Sequence, residues 1–180
     1  MRKLFTIYLL LPLFAFTQQV KTEHSPYALK DFSVYFNGSW ENDTAKSEGM
    51  GQGTRQYELI LNNAHLQVSN KANNLSQDKK TMVCYHQDIG VFSYDKSRKK
   101  IIYREFTSEK FFSQYVCDSI SPDKKTFIFH SESFENVPAG YKGRITITIL
   151  EENIFIEHFE LAEAGKSFQT YVKGMWVRKK

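Results

Sequence analysis

Polar side chains with binding chemistry interrupt stretches of the sequence that otherwise have the apolar residues of β-strands. They are phenols, imidazoles and one guanidinium: Tyr57, Tyr103, Arg104, Tyr115, His130, His158 and Tyr171. A few polar groups set in an apolar cavity are what orients a small ligand. Arg104, flanked by Tyr103 and Phe106, is the strongest candidate to hold an anionic group. The pattern predicts a site for a small hydrophobic or amphipathic molecule, unless these side chains face solvent or seal the core.

Metal ligation and nucleophilic catalysis have no local signature in the sequence. No His-x-x-x-His, His-Glu-x-x-His or Cys-x-x-Cys spacing occurs. His130 with Glu132, and His158 with Glu160, share strand faces, but such pairs more often face solvent than bind a metal across strands. Ser133 falls on the opposite strand face from His130, so the two form no local catalytic pair. We therefore expect no metal ion and no local catalytic motif.

Three kinds of function remain open from these residues. The first is a binding protein whose ligand occupies a cavity inside the fold. The second is an enzyme, an isomerase, cyclase or hydrolase, that uses the same cavity with one or two polar groups. The third is an interaction module with a filled core, whose loops form the working surface. The volume of the cavity separates the third function from the first two, and a filled interior would leave only the third.

A short helix is predicted before the strands, over residues 26–36. Ser25 is a good N-cap and Pro26 suits the first helical position. The apolar residues then follow a helical period and form one face: Leu29, Phe32 and Phe36. This face is expected to pack against the rest of the fold.

The rest of the chain has the period of β-strands. Residues 144–150 alternate strictly between apolar and polar, and short turns follow one another at a spacing of roughly 8–14 residues. Residues 70–80 are expected to form a polar loop. About nine or ten strands result, without helices between them, which predicts an all-β antiparallel meander. Closure into a barrel removes the exposed edges, and a two-sheet sandwich is the alternative.

The N-terminus has the pattern of an export signal. Arg2 and Lys3 precede an apolar stretch, and Ala15 and Thr17 lie at the −3 and −1 positions of a cleavage site. The apolar stretch is too short to cross a bilayer, which takes about 20 residues. We expect residues 1–17 to be a signal peptide and the protein to be exported, either periplasmic or secreted.

The mature chain is expected to begin with a polar leader, residues 18–24, followed by one domain, residues 25–180. The formal net charge of the full chain is +4, with 15% aromatic residues. A nucleic-acid-binding surface needs a basic face with aromatic residues among its charges. Here much of the positive charge lies at the two termini, so no nucleic-acid partner is expected. No long apolar run follows residue 17, so no membrane span is expected in the mature form.

A known group of folds is suggested by the two ends of the expected barrel. Gly38, Ser39 and Trp40 form a Gly-x-Trp motif at the first strand, and Arg178 ends the last strand. This pattern resembles the calycin-like barrels, which include lipocalins, fatty-acid-binding proteins and nitrobindin-type haem barrels. The resemblance implies that Trp40 closes one barrel end and that Arg178 packs on it, where a cation gains from an indole face.

A closer resemblance lies in the middle of the chain. Residues 89–106 are similar to the central hairpin of a family of uncharacterised bacterial barrel domains, which also begin with a short helix and Gly-x-Trp and end on an Arg. The similarity extends over about residues 25–180 and implies a fold rather than a function.

The nitrobindin-type barrels also imply a cofactor that this sequence does not match. Their last strand has a haem-ligating His seven residues before the closing Arg, and that position is Tyr171 here. Their glycine-rich segment after Gly-x-Trp is replaced by residues 41–44, Glu-Asn-Asp-Thr. No Arg-x-Tyr pair of the kind that binds fatty-acid carboxylates occurs near the C-terminus. We therefore expect no bound cofactor.

Overall fold

The computed structural model describes residues 26–75 and 82–180. Within these residues the chain forms one α-helix, α1 (Pro26–Phe36), a 3-10 turn (Thr44–Lys46) and ten β-strands. The strands are β1 (Gly38–Asn42), β2 (Gln52–Ile60), β3 (His65–Leu75), β4 (Met82–Asp95), β5 (Lys100–Thr107), β6 (Phe112–Ile120), β7 (Thr126–Glu135), β8 (Lys142–Glu151), β9 (Ile154–Ala162) and β10 (Gln169–Arg178).

The strands form a closed antiparallel barrel. Each strand pairs with its neighbours in the chain, and β1 pairs with β10 to close the sheet. Trp40 lies opposite Arg178 in this closing pair. The expected all-β meander barrel with one short helix is confirmed, and the alternative of a two-sheet sandwich is excluded.

Helix α1 covers one end of the barrel, which we call the sealed end. The side chains of Leu29, Phe32 and Phe36 are buried, as the helical period predicts. The Phe32 ring lies 4.9 Å from the rings of both Phe92 and Phe127, so the helix inserts aromatic side chains into the barrel mouth. We call the opposite end the far end.

One sequence expectation about the strands was wrong. Residues 70–75 belong to β3 and pair with β4 rather than forming the start of a polar loop. The Asn70 side chain points into the barrel, where it bonds to Arg55 and Asp88, and this satisfies its polarity inside a strand. The polar composition of residues 70–75 suggested a loop, but here polar side chains belong to a strand because part of the barrel interior is polar.

The expected signal peptide, residues 1–17, and leader, residues 18–24, lie outside the described residues. Among the residues described, no helix is both long and apolar enough to cross a membrane. Helix α1 has 11 residues.

Candidate functional site

The interior of the barrel changes character between its two ends. Near the sealed end it is filled by aromatic and aliphatic side chains. Towards the far end, inward positions of the strands have polar groups that are buried or partly buried: Arg55, Asn70, Asp88, Glu105, Ser113 and Glu157. Alternation along each strand brings these groups inside, because every second side chain faces the same way.

A buried ion pair lies at the centre of this polar region. Two nitrogens of Arg55 donate to the two carboxylate oxygens of Glu157, each at 2.7 Å. Arg55 also donates to the Tyr57 hydroxyl at 3.2 Å, and its guanidinium carbon lies 4.0 Å from the centre of the Trp176 ring. Arg55 is only 6% exposed, so this paired cation is held in a low-dielectric setting where an unpaired one would be very unfavourable.

A hydrogen-bonded chain runs from this pair towards the barrel surface. Asn70 accepts from Arg55 and donates to Asp88 at 2.7 Å. Asp88 lies 3.0 Å from one ring nitrogen of His86, and Glu109 lies 2.9 Å from the other. The hydrogen bond to Asp88 is the main cause that raises the pKa of His86 to about 9, so the ring is protonated at neutral pH. In the described chain, no group of three or more His, Cys, Asp or Glu side chains has an arrangement that could hold a metal ion.

Glu105 is the third carboxylate of the interior, after Glu157 and Asp88. It accepts from the Tyr103 hydroxyl at 2.9 Å and from the Ser113 hydroxyl at 3.1 Å. Burial, together with the nearby negative charge of Asp88, raises its pKa to about 7. No cationic side chain of residues 26–75 or 82–180 pairs with Glu105, so its ionised form is poorly compensated.

Glu105 should make stability depend on pH. In the folded state it keeps its proton up to about pH 7, whereas in the unfolded chain it titrates near 4.5. A raised carboxyl pKa stabilises the fold below these values, so the free energy of unfolding should fall by up to roughly 3 kcal/mol as the pH rises through this window. Denaturant unfolding between pH 4.5 and 7 measures this slope.

Substitution separates Glu105 from the other carboxyl groups. Glu105→Gln should flatten the slope, whereas Glu58→Gln, at an exposed position on β2, should leave it as in the wild type. A slope that is the same in Glu105→Gln and the wild type would refute the assignment.

Aromatic rings fill the interior around Glu105. Tyr103 stacks on Phe92 with ring centres 4.3 Å apart. It also lies across Gly90, where an added Cβ would come within 2.4 Å of the Tyr103 ring, so only glycine allows this approach. Tyr115 continues the stack, 6.0 Å from Tyr103, and contacts Phe134 at 5.9 Å.

A pocket opens where β7 and β8 separate at the far end. Their pairing ends at His130 and Arg144, and beyond it the wall of the barrel parts. The pocket has a volume of about 570 Å³; we call it the β7–β8 pocket, and it is lined by residues 130–134 and 137–143 and by Phe168. A Cβ on Gly143 would come within 3.0 Å of the rings of both Phe134 and Tyr115. The pocket therefore reaches, through Phe134, the aromatic side chains of the barrel interior.

The structure divides the residues that the sequence proposed as a binding site. Tyr57, Tyr103 and Tyr115 face the interior and are buried. Arg104 does not, because it lies between inward-facing neighbours on β5, and it donates to the Ser93 hydroxyl at 3.0 Å on the outer face. An anchoring role for Arg104 inside the barrel does not fit this orientation.

The two histidines of the proposed set also lie on the outer face. His130 lies 2.9 Å from Asp118, at the rim of the β7–β8 pocket. His158 lies 2.9 Å from the Thr170 hydroxyl, two strands away from His130. Successive side chains point to opposite faces of a strand, but these strands have aromatic residues on both faces. The sequence therefore did not show which face lies inside the barrel.

Tyr171 lies at an irregular position of β10. The pairing with β9 shifts between Thr170 and Val172, and the Tyr171 side chain is 64% exposed, with its ring 5.6 Å from that of Phe159. A phenol must lose its proton to ligate ferric haem, and an exposed position offers no enclosed haem site. The residues present do not fit haem at this position.

We accordingly expect purified protein to show no Soret absorption and to gain no stoichiometric band when haem is added. Absorbance titration measures this directly. A tight band that appears at one haem per chain and disappears in Tyr171→Phe would show that Tyr171 is a ligand after all.

The most important interior groups were missing from the sequence proposal: Arg55, Asp88, Glu105, Glu157 and Trp176. A signal for Arg55 exists, since Gly53, Arg55 and Tyr57 occupy one face of β2. No local signal marks Glu157 as its partner, because 102 residues separate the two.

Trp40 and Arg178 meet at the sealed end, as the resemblance implies. The guanidinium carbon of Arg178 lies 4.2 Å from the Trp40 ring centre, and Trp40 is fully buried. The Trp40 indole donates to the carbonyl of Phe36 at 2.8 Å, and Arg178 donates to the carbonyls of Asn37, at 2.8 Å, and Tyr35. A cation on the last carbonyls of α1 fastens the helix to the barrel.

Comparison with known proteins supports the fold. No family model and no curated protein matches the sequence. Among solved structures, the chain is similar to "Crystal Structure of Rv2717c from M. tuberculosis", with a TM-score of 0.57 and 11% sequence identity over 87% of this chain and 99% of that chain. At this identity the likeness shows the barrel fold alone.

Proposed function

We propose that this protein is an exported, calycin-like barrel that binds a small amphipathic molecule through the β7–β8 pocket. The observation that carries the proposal is the pocket itself, whose lining includes Phe134 and also Gly143, which borders Tyr115 in the interior. The contact of Trp40 with Arg178 supports the calycin-like assignment.

The walls of the pocket have the chemistry that an amphipathic ligand needs. Its volume of about 570 Å³ suits a small organic molecule. Phe134 and Gly143 form an apolar inner wall, whereas Lys142 lies at the exposed rim and forms no salt bridge with a described residue. An apolar body can therefore lie against the inner wall while a polar group remains near the rim.

Binding is favoured over hydrolysis by the partners of His130. Its ring pairs with Asp118, an arrangement that orients an imidazole in hydrolases. Within the described part of the chain, however, no serine hydroxyl or cysteine thiol bonds to His130, and Ser131 instead accepts from the Gly143 amide at 2.8 Å. The pair lacks a nucleophile.

A fluorescent reporter tests the pocket. N-phenyl-1-naphthylamine, an uncharged probe that brightens in apolar sites, should bind saturably at one site per chain. Ser133 lines the pocket at an exposed position, so Ser133→Trp adds a large ring at the pocket mouth and should weaken binding by about tenfold or more. Ser119→Trp, at an exposed position on β6 outside the pocket, is the matched control and should bind as the wild type does. Absence of saturable binding, or equal binding by Ser133→Trp, would refute the proposal.

Export is tested separately by the mass of the mature protein. Protein recovered from the exported fraction should begin at or near Gln18, because small residues precede that position. Intact-mass measurement decides this. A mass that still includes residues 1–17 would contradict cleavage.

A further inference from the structure

One buried hydrogen-bond donor in the barrel has no acceptor among residues 26–75 and 82–180. The chain has two tryptophans, and the Trp40 indole is bonded to a carbonyl. Trp176 is 1% exposed, and no described residue accepts a hydrogen bond from its Nε1. His65 Nδ1 is also unpaired, but an imidazole nitrogen can be without a hydrogen, whereas an indole nitrogen always has one. A buried donor without an acceptor is unfavourable, so Trp176 is a place where a ligand atom would be stabilising.

The Trp176 N–H faces a place that has no side chain. A Cβ added to Gly174 would lie 3.0 Å from Nε1, and its next contact would be the Met50 sulfur at 3.4 Å. Gly174 is itself buried and lies opposite Glu157 in the β9–β10 pairing. Because Gly174 has no side chain, Nε1 faces its backbone and the Met50 sulfur rather than a packed side chain, and an acceptor could approach it from there if Met50 moves.

A second donor without an acceptor lies against the same ring. The Arg55 guanidinium is 4.0 Å from the Trp176 ring centre and has five N–H groups. Four hydrogen bonds use them: to Asn70, to Tyr57 and twice to Glu157. One N–H on Arg55 remains without a bond to the described part of the chain, so two groups in contact each have one unmatched donor there.

The charge around these donors disfavours an anion. Glu157, Asp88 and Glu105 place carboxyl groups in the same interior, and Arg55 already neutralises Glu157. Above about pH 7, where Glu105 is ionised without a cationic partner among the described residues, a further carboxylate would meet its negative charge in a low-dielectric region. An uncharged oxygen acceptor meets no such repulsion.

We propose that the N–H groups of Trp176 and Arg55 form a subsite for an uncharged oxygen acceptor, such as an amide or ketone carbonyl, on the ligand. This inference rests on the proposed function and names the chemistry of the ligand's inner end. Phe159 lies between the pocket and the subsite. It borders Gly143, which lines the pocket, at 3.2 Å from the absent Cβ, and it is two residues from Glu157 on the same strand face. We therefore expect the ligand to extend past Phe159 for its inner end to reach Trp176.

The indole signals of the ¹⁵N-labelled protein test this directly, with decanamide as the probe. The Trp176 indole proton should move downfield when decanamide binds, because it gains an acceptor. The Trp40 signal should stay in place, since its bond to Phe36 is unchanged, and it is the internal control. Trp176→Phe assigns the two signals.

Competition against N-phenyl-1-naphthylamine measures the preference for an uncharged end. Decanamide should displace the probe at lower concentration than decanoate at about pH 8, where the acid is ionised. Trp176→Phe should weaken decanamide about fivefold, as expected for one neutral hydrogen bond. Gly174→Ala, which blocks the approach to Nε1, should do the same and is a second variant in case the first destabilises the barrel.

The outcomes separate this inference from the proposed function. Probe binding without a shift of the Trp176 signal, or with decanoate preferred, overturns the subsite and leaves the pocket intact. Decanamide affinity unchanged in both variants also overturns it. A shift of the Trp176 signal without probe binding supports the subsite and refutes the pocket. If the probe does not bind and the Trp176 signal does not shift, both the subsite and the pocket are overturned.

Discussion

Replacing Trp40 with alanine should lower the free energy of unfolding by roughly 3–5 kcal/mol, the range for truncating a buried aromatic residue. Trp40 is fully buried and contacts α1, the Phe155 ring at 4.8 Å and the Arg178 guanidinium. The alanine variant loses these contacts and leaves the Phe36 carbonyl without its indole donor. Denaturant unfolding followed by circular dichroism measures the loss.

A matched change on α1 distinguishes this effect from a general sensitivity of the helix. Val34 is 67% exposed, so Val34→Ala should change stability by no more than about 0.5 kcal/mol. If Trp40→Ala lost less than about 1 kcal/mol, the range of ordinary surface changes, Trp40 would not close the barrel.

Replacing Glu157 with glutamine should be nearly as destabilising, by roughly 3 kcal/mol or more, because Arg55 would remain buried without its counter-ion. The substitution preserves shape, so the loss reports charge rather than packing. Two-state unfolding of the wild type and the variant gives the difference.

An exposed ion pair just beyond the same strand provides the control. Glu163 pairs with Lys166 at 2.6 Å, and the two side chains are 52% and 68% exposed. Glu163→Gln should lose about 1 kcal/mol or less, since exposed pairs are weak. Equal losses from Glu157→Gln and Glu163→Gln would contradict the buried character of the Arg55 pair.

The sequence was a good guide to elements and a poor guide to the interior. Strict alternation over residues 144–150 predicted β8, and the helical period at Leu29, Phe32 and Phe36 predicted α1, because both signals are local. The resemblance placed Trp40 against Arg178 across the closing strands. These features depend on residues that are close in sequence or at the chain's two recognisable ends.

The residues of the candidate site could not be predicted without the closed barrel, because the closure decides which side chains face inward. The sequence pointed to Arg104, but only the closed sheet shows that Arg104 lies on the outer face and that Arg55 faces inward. The unpaired Trp176 nitrogen depends on Gly174 and on the absence of an acceptor, which no local pattern records. The β7–β8 pocket exists because pairing stops at His130 and Arg144, a property of the whole wall.

Native mass spectrometry of the protein purified from its own host tests the central claim, that the far end of the barrel holds a small molecule. We expect wild-type protein and Ser119→Trp to have the mass of the chain plus one small organic ligand, and Ser133→Trp to have the mass of the chain alone. Wild-type protein without added mass, or the same added mass on Ser133→Trp, would contradict a ligand in the β7–β8 pocket.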